Sequence, residues 1–130
     1  MKILLFLSML FLHIVDDYYL QGILSQMKQK SWWKKNAPDE LYKNDYKIAL
    51  LEHAFSWTFM IMLPIALFMM YSREYFVVPY SICFVINWVI PAIVDDLKAN
   101  KKIISLVIDQ SCHIIQIAFT WGVLICWLGK

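Results

Sequence analysis

Apolar residues fall in long runs along this chain, and polar residues gather at the ends of those runs. Residues 3–20, 49–71, 75–94 and 103–128 each approach or exceed the roughly 20 mostly apolar residues that a membrane-crossing helix needs. The middle two runs are the cleaner; the first and fourth carry ionisable residues. There is no internal repeat and no low-complexity tract. The pattern predicts an all-α fold, an integral membrane bundle of four transmembrane helices in a single domain spanning residues 1–130.

Between the first two runs, residues 22–47 read differently. Lys28, Lys30, Lys34, Lys35, Lys43 and Lys47 surround Trp32 and Trp33. Tryptophan beside lysine favours the headgroup layer, where the ring is half wet and the ammonium meets anionic lipid. Ile23, Leu24 and Met27 suit a short interfacial helix, and Ala37 to Glu40 a turn into another. Ser72, Arg73 and Glu74 form a tight turn, and Lys98, Lys101 and Lys102 mark a basic one. The loops after the first and third spans share a side and hold nine of the twelve Lys and Arg; Lys2, Arg73 and Lys130 lie opposite. The positive-inside rule therefore places residues 22–47 in the cytoplasm and both termini outside.

Composition sharpens this picture. Hydrophobic residues make up 61% and charged residues 17%, against about half and a quarter in ordinary soluble domains. So small a soluble fold could not hide that much apolar surface, which makes a lipid bilayer the natural partner. A net charge of +2 is too small to argue for nucleic acid. Cys83, Cys112 and Cys126 lie in apolar runs without short spacing and read as free thiols. The N-terminal run resembles a secretory signal, but Asp16 and Asp17 follow where a small-x-small cleavage site belongs. It reads as a retained first helix.

The polar residues within the spans collect in one half of the bilayer. His13, Asp16, Asp17 and Gln21 lie toward the cytoplasmic end of the first helix, Glu52 and His53 open the second, Asp95, Asp96 and Lys98 close the third, and Asp109, Gln110 and His113 open the fourth. His13 and Asp17 are four residues apart and share a face. So do Asp109 and His113, with Gln116 on the same stripe. Because the first and fourth helices run in opposite directions, the two histidines fall at one depth, with the aspartates about 6 Å nearer the cytoplasm. If these helices touch, His-x-x-x-Asp faces Asp-x-x-x-His in one compact site. A charge deep in the bilayer costs about 2.5 kcal/mol or more, so such residues normally face the bundle and mark function. Imidazole and carboxylate on neighbouring helices suit a divalent metal, zinc first. The candidate ligands are His13, Asp17, His53, Asp109 and His113, with Gln21 and Gln110 as partners that fix ligand orientation. Glu52, Asp96 and Lys98 read as a wet boundary. So does Asp95, which is also, with Asp109, a candidate catalytic base. Asn87 and Pro91 are placed to kink the third helix toward the cluster.

The stretch His13-x-x-x-Asp17-Tyr18-x-Leu20-Gln21 resembles the H-x-x-x-D-F-x-L-Q signature of a family of small bacterial and phage membrane proteins catalogued as a domain of unknown function (family 3307). Asp109-Gln110-Ser111-Cys112-His113 resembles its later D-Q-x-x-H motif. His53 matches a histidine of its second helix, and Pro91-x-x-x-Asp95-x-x-Lys98 matches H-x-x-x-D-x-x-K. The resemblance spans nearly the whole chain. It departs at Pro91, where the pattern has His, and at Trp57, where a second histidine of that helix sometimes occurs. The family itself resembles membrane proteins labelled metal-dependent hydrolases.

The leading expectation is a metal-dependent membrane hydrolase acting at the cytoplasmic face on a lipid-headgroup ester, in a bacterial or phage-infected host inner membrane. No GxSxG nucleophile motif is present. The alternatives are an ion or proton transport component, since buried His and Asp also build relays, and a non-enzymatic phage or bacterial interaction protein working through its lysine-rich loop. Nothing in the pattern specifies an oligomer.

Overall fold

The structure, a computed structural model, describes residues 1–127. Leu128, the expected end of the fourth span, and Lys130, counted among the outer cations, lie outside the described residues. Helix α1 spans Lys2–Val15 and continues as a π-helical turn over Asp16–Leu20. Two short helices follow, α2 at Leu24–Met27 and α3 at Lys30–Asn36, then a 3-10 turn at Glu40–Tyr42. The remaining long helices are α4 (Tyr46–Ser72), α5 (Val77–Ala99) and α6 (Leu106–Trp127). Among the described residues there is no strand. The chain is an all-α bundle whose four long helical segments have the length and apolarity to cross a bilayer, as in a multi-pass membrane protein. The spans differ from the sequence pattern at their ends: α4 starts three residues early, α5 continues to Ala99, and α6 starts only at Leu106.

Helix α4 packs against α1 and α5, and α6 against α1 and α5. The expected contact between the first and fourth spans is present along their length. Phe6 and Trp121 rings lie 5.3 Å apart, and Trp121 Nε1 donates to the Lys2 carbonyl. One half of the bundle holds a dry core of Met9, Ile61, Met62, Ile65, Ile117 and Leu124. The outward faces present Ile3, Leu7 and Phe11 on α1, Ile82, Val85 and Val89 on α5, and Ile115 and Phe119 on α6. An apolar exterior is what hydrocarbon surroundings require.

A polar layer lies deeper than the sequence pattern placed it. Asn87 Nδ2 donates to Thr120 Oγ1 at 2.9 Å, and Gln116 Nε2 to Asn87 Oδ1 at 2.7 Å. Thr120 lies fourteen residues beyond Leu106, or about 21 Å by helix rise, past the middle of a hydrocarbon core about 30 Å thick. Helix α5 runs unbroken through Pro91. Proline has no N–H, so the Asn87 carbonyl one turn earlier loses its helical donor. Thr58 Oγ1 on α4 lies 2.7 Å from that carbonyl, sharing its one proton with the Ala54 carbonyl of its own helix, also at 2.7 Å. Threonine from a neighbouring helix is a standard way to satisfy a carbonyl freed in lipid.

The segment between α1 and α4 packs over the polar end of the bundle. Gly22 turns the chain at a φ of +47°, which glycine adopts without side-chain clash. Trp32 and Trp33 sit edge to face, 5.0 Å apart, on α3. Asn100, just beyond α5, clamps the segment: its side chain accepts from Lys30 N at 2.7 Å and donates to the Lys28 carbonyl at 3.1 Å.

Candidate metal centre

The site begins where α1 loosens into its π turn. Asp16 is fully buried, at 0% exposure, whereas Asp17 is only partly buried. Asp16 Oδ1 accepts from Ser56 Oγ at 2.8 Å, and Oδ2 accepts from Gln21 Nε2. Sequence spacing singled out Asp17. Asp16, three residues after His13, carried the same helical signal and is the deeper acid.

His13 and His113 meet as the depth argument required, with ring centroids 5.7 Å apart. Indole N–H can only donate, so Trp57 Nε1, 2.7 Å from His13 Nδ1, leaves the imidazole proton on Nε2. That proton points at Gln110 Oε1, 3.1 Å away. The Gln110 amide nitrogen then reaches Asp17 Oδ2 at 3.1 Å and Asp109 Oδ2 at 3.4 Å. One glutamine thus ties His13, Asp17 and Asp109 together, and Trp57 packs on the His113 ring at 4.8 Å.

His53 is arranged the same way. Its Nδ1 lies 2.7 Å from Gln21 Oε1, an acceptor, so Nδ1 carries the proton. Its Nε2 accepts from Lys28 Nζ at 2.6 Å, and Lys28 also donates to Asp95 Oδ1 at 3.1 Å. His53 Nε2 lies 3.0 Å from Asp95 Oδ2 as well, but Oδ2 makes no hydrogen bond. Gln21 and Gln110 therefore each hydrogen-bond a histidine ring on another helix, His53 and His13 respectively.

Among the described residues, one group of three metal-ligating side chains converges. Asp95, Asp109 and His113 are all buried, with ligand atoms within 4.8 Å of one another. His113 Nε2 and Asp109 Oδ1 lie 3.6 Å apart, close to the edge of about 3.4 Å for a tetrahedron with bonds near 2.1 Å. Each carboxylate is split in use. Asp95 gives Oδ1 to Lys28 and Asp109 gives Oδ2 to Lys98, the latter at 2.5 Å. Asp95 Oδ2, Asp109 Oδ1 and His113 Nδ1 are buried without a hydrogen-bond partner. Buried polar atoms are normally paired, and two bare carboxylate oxygens side by side repel. Such a donor set could hold a metal ion.

This set differs from the expected one. Of the five candidate ligands, only Asp109 and His113 belong to the converging group. His13 and His53 have both ring nitrogens engaged, and Asp17 is held by Gln110. Asp95, read as a boundary residue or base, is instead buried inside the cluster. Lys98, also read as boundary, pairs with Asp109; Glu52 is exposed, as expected. Lys28 was assigned to the headgroup layer, yet its side chain is 12% exposed and reaches the site. The signal for it was charge balance, since Asp16, Asp17, Asp95 and Asp109 in one half-bilayer need cations from the nearest loop.

Above the cluster lies a cleft of about 410 Å³, whose charged lining is Asp17, Lys28, Asp95, Lys98, Lys102 and Asp109. Comparison with protein-family models, curated proteins and solved structures finds no match.

Proposed function

We propose that this chain is a divalent-metal-dependent membrane hydrolase, acting on an ester group at headgroup level on the bilayer face that carries residues 22–47. The observation behind this reading is the pair of buried carboxylate oxygens, Asp95 Oδ2 and Asp109 Oδ1, that lack hydrogen bonds and converge with His113. Three protein ligands leave a coordination position open, the hallmark of catalytic rather than structural sites. A cation there would bring the pKa of a bound water close to neutrality. Two carboxylates and one imidazole form a harder set than the histidine-rich one expected, so manganese suits it as well as zinc. Asp17 lines the cleft outside the ligand set, and in this reading it is the carboxylate that takes a proton from water. His13, Gln110 and Trp57 orient the group, and Gln21 and His53 position Lys28. The resemblance to the bacterial and phage membrane family is part of this proposal. So is the orientation, with this face cytoplasmic in a bacterial or phage-infected host inner membrane.

Elemental analysis of detergent-purified protein tests the reading. About one zinc or manganese per chain is expected, absent from Asp109→Ala and from His113→Ala. Stoichiometric metal that survives both substitutions would refute the ligand set. For the orientation, Asn36→Cys in a cysteine-free background should resist an impermeant maleimide in intact cells, while Glu74→Cys reacts. The reverse pattern would invert the topology.

A second reading, a proton relay, draws on the polar layer of Gln116, Asn87 and Thr120, which begins one helical turn beyond His113. It predicts no bound metal and a pH-dependent proton flux in liposomes that Asp109→Asn abolishes. Beyond Thr120 the interior closes on Leu124, Ile65 and Met69, all buried, which favours the first reading.

A further inference from the structure

We infer that the cleft above Asp95, Asp109 and His113 receives a phosphate monoester group, held by Lys28 and Lys98 and bound in concert with the cation. This rests on the metal reading above, because the charge that draws the anion arrives with the cation.

Charge is the starting point. The cleft is lined by three carboxylates, of Asp17, Asp95 and Asp109, and three ammonium groups, of Lys28, Lys98 and Lys102. Without metal the lining is balanced; with a divalent cation it carries two excess positive charges. At a membrane face, partly screened from water, that excess is expensive to leave uncompensated. A phosphate monoester carries about −1.5 to −2 at neutral pH and matches it. A phosphodiester or a carboxylate, at one negative charge, leaves half the excess in place.

Donor geometry points the same way. Each lysine takes one oxygen of a carboxylate and leaves the other to the cation, so the ammonium groups stay beside it. An ammonium has three N–H donors. Lys98 spends one on Asp109, and its side chain is 31% exposed in the cleft wall. Two donors are left for an anion that bridges lysine and cation, the arrangement that recurs at phosphoryl sites. Tyr18 and Leu106, both exposed, line the same cleft and give its mouth an apolar edge. The phosphate can therefore come from a lipid headgroup or from a soluble monoester.

Coupling between cation and anion is reciprocal, so metal affinity reports on the anion without any assay of turnover. The experiment is Mn²⁺ titration of the full chain in phosphatidylcholine nanodiscs, with and without millimolar inorganic phosphate, and in nanodiscs containing phosphatidic acid. Manganese should bind about 5- to 150-fold more tightly when phosphate is supplied. A gain from inorganic phosphate in phosphatidylcholine discs marks a soluble source. A gain already present in phosphatidic acid discs, and little raised by added phosphate, marks the lipid. Lys98→Gln should strengthen Mn²⁺ binding in the absence of phosphate, because a neighbouring cation is gone, yet lose most of the phosphate-linked gain. Lys28→Gln should do the same. Equal Mn²⁺ affinity under all three conditions overturns the phosphate inference while leaving the metal site standing. A gain undiminished in both lysine variants overturns their assignment. No Mn²⁺ or Zn²⁺ binding under any condition removes the metal reading and this inference together.

Discussion

The half of the bundle around Ile61, Ile65, Ile117 and Leu124 and the half around His53, Asp95, Asp109 and His113 are built on the same helices but held together differently. In the apolar half, apart from the Asn87–Thr120 pair at its border, the buried groups are alike in chemistry and shape decides how they pack. Lipid tails are as apolar as leucine, so burial there gives little hydrophobic drive, and close packing must hold the helices. In the polar half most buried polar atoms have a named partner: Trp57 for His13, Gln21 for His53, Lys28 for Asp95, Lys98 for Asp109. The atoms without one are Asp95 Oδ2, Asp109 Oδ1, His113 Nδ1 and Gln116 Oε1. Among the described residues, two of the four, the carboxylate oxygens, belong to the cluster whose donor set fits a cation, and His113 faces Asp109 there through its other ring nitrogen, Nε2. Where everything around is satisfied, bare groups gathered at one point mark the place where something else binds.

Substitutions can separate the two halves. The largest effect is expected from Asp109→Ala or His113→Ala, which should take bound metal from about one ion per chain to none, read by elemental analysis, with membrane insertion intact. Retention of metal in both would erase the contrast. Next comes Ile61→Ala, which opens a cavity in a fully buried position and, with packing loss as the main cost, should lower stability by about 0.5–3 kcal/mol, seen as an earlier thermal transition in detergent. Its metal affinity should stay at the wild-type value, so a matching loss of metal would mean that the halves are one cooperative unit. His13→Ala acts inside the polar half but on an orienting group. Metal affinity should fall about 10- to 100-fold with stoichiometry preserved at saturating metal. Complete loss would return His13 to the ligand set.

The smallest effect tests the seam between the halves. Thr58→Val removes the donor to the Asn87 carbonyl that Pro91 leaves open. It should destabilise by about 1 kcal/mol. In a Pro91→Ala background, where the backbone N–H is restored, the same change should have almost no effect. Equal losses in the two backgrounds would mean that the Thr58 bond does not serve the proline.

Much of this was legible in the pattern of residues. Four apolar runs stood out because hydrocarbon admits only long apolar helices, and the alternation of direction then set His13 opposite His113 at one depth. The i, i+4 spacing of Asp109 and His113 located two of the three residues of the converging cluster. The π turn at Asp16–Leu20 was not legible. It begins at Asp16, the more buried of two adjacent acids, and nothing in a pair of aspartates announces a π turn. Lys28 was missed because lysine among tryptophans reads as a headgroup anchor; its reach to Asp95 depends on how Asn100 clamps the loop.

The sequence by itself determined the class of molecule, the end of the bundle where charge collects, and which residue types could form a centre. Those follow from composition and helical period, which are local. Only the tertiary structure decided which atoms are ligands. A histidine becomes an orienting group or a candidate ligand according to whether its two nitrogens find partners on other helices. That depends on the packing of α1, α4, α5 and α6 to within an ångström, a distance that no spacing along one chain encodes.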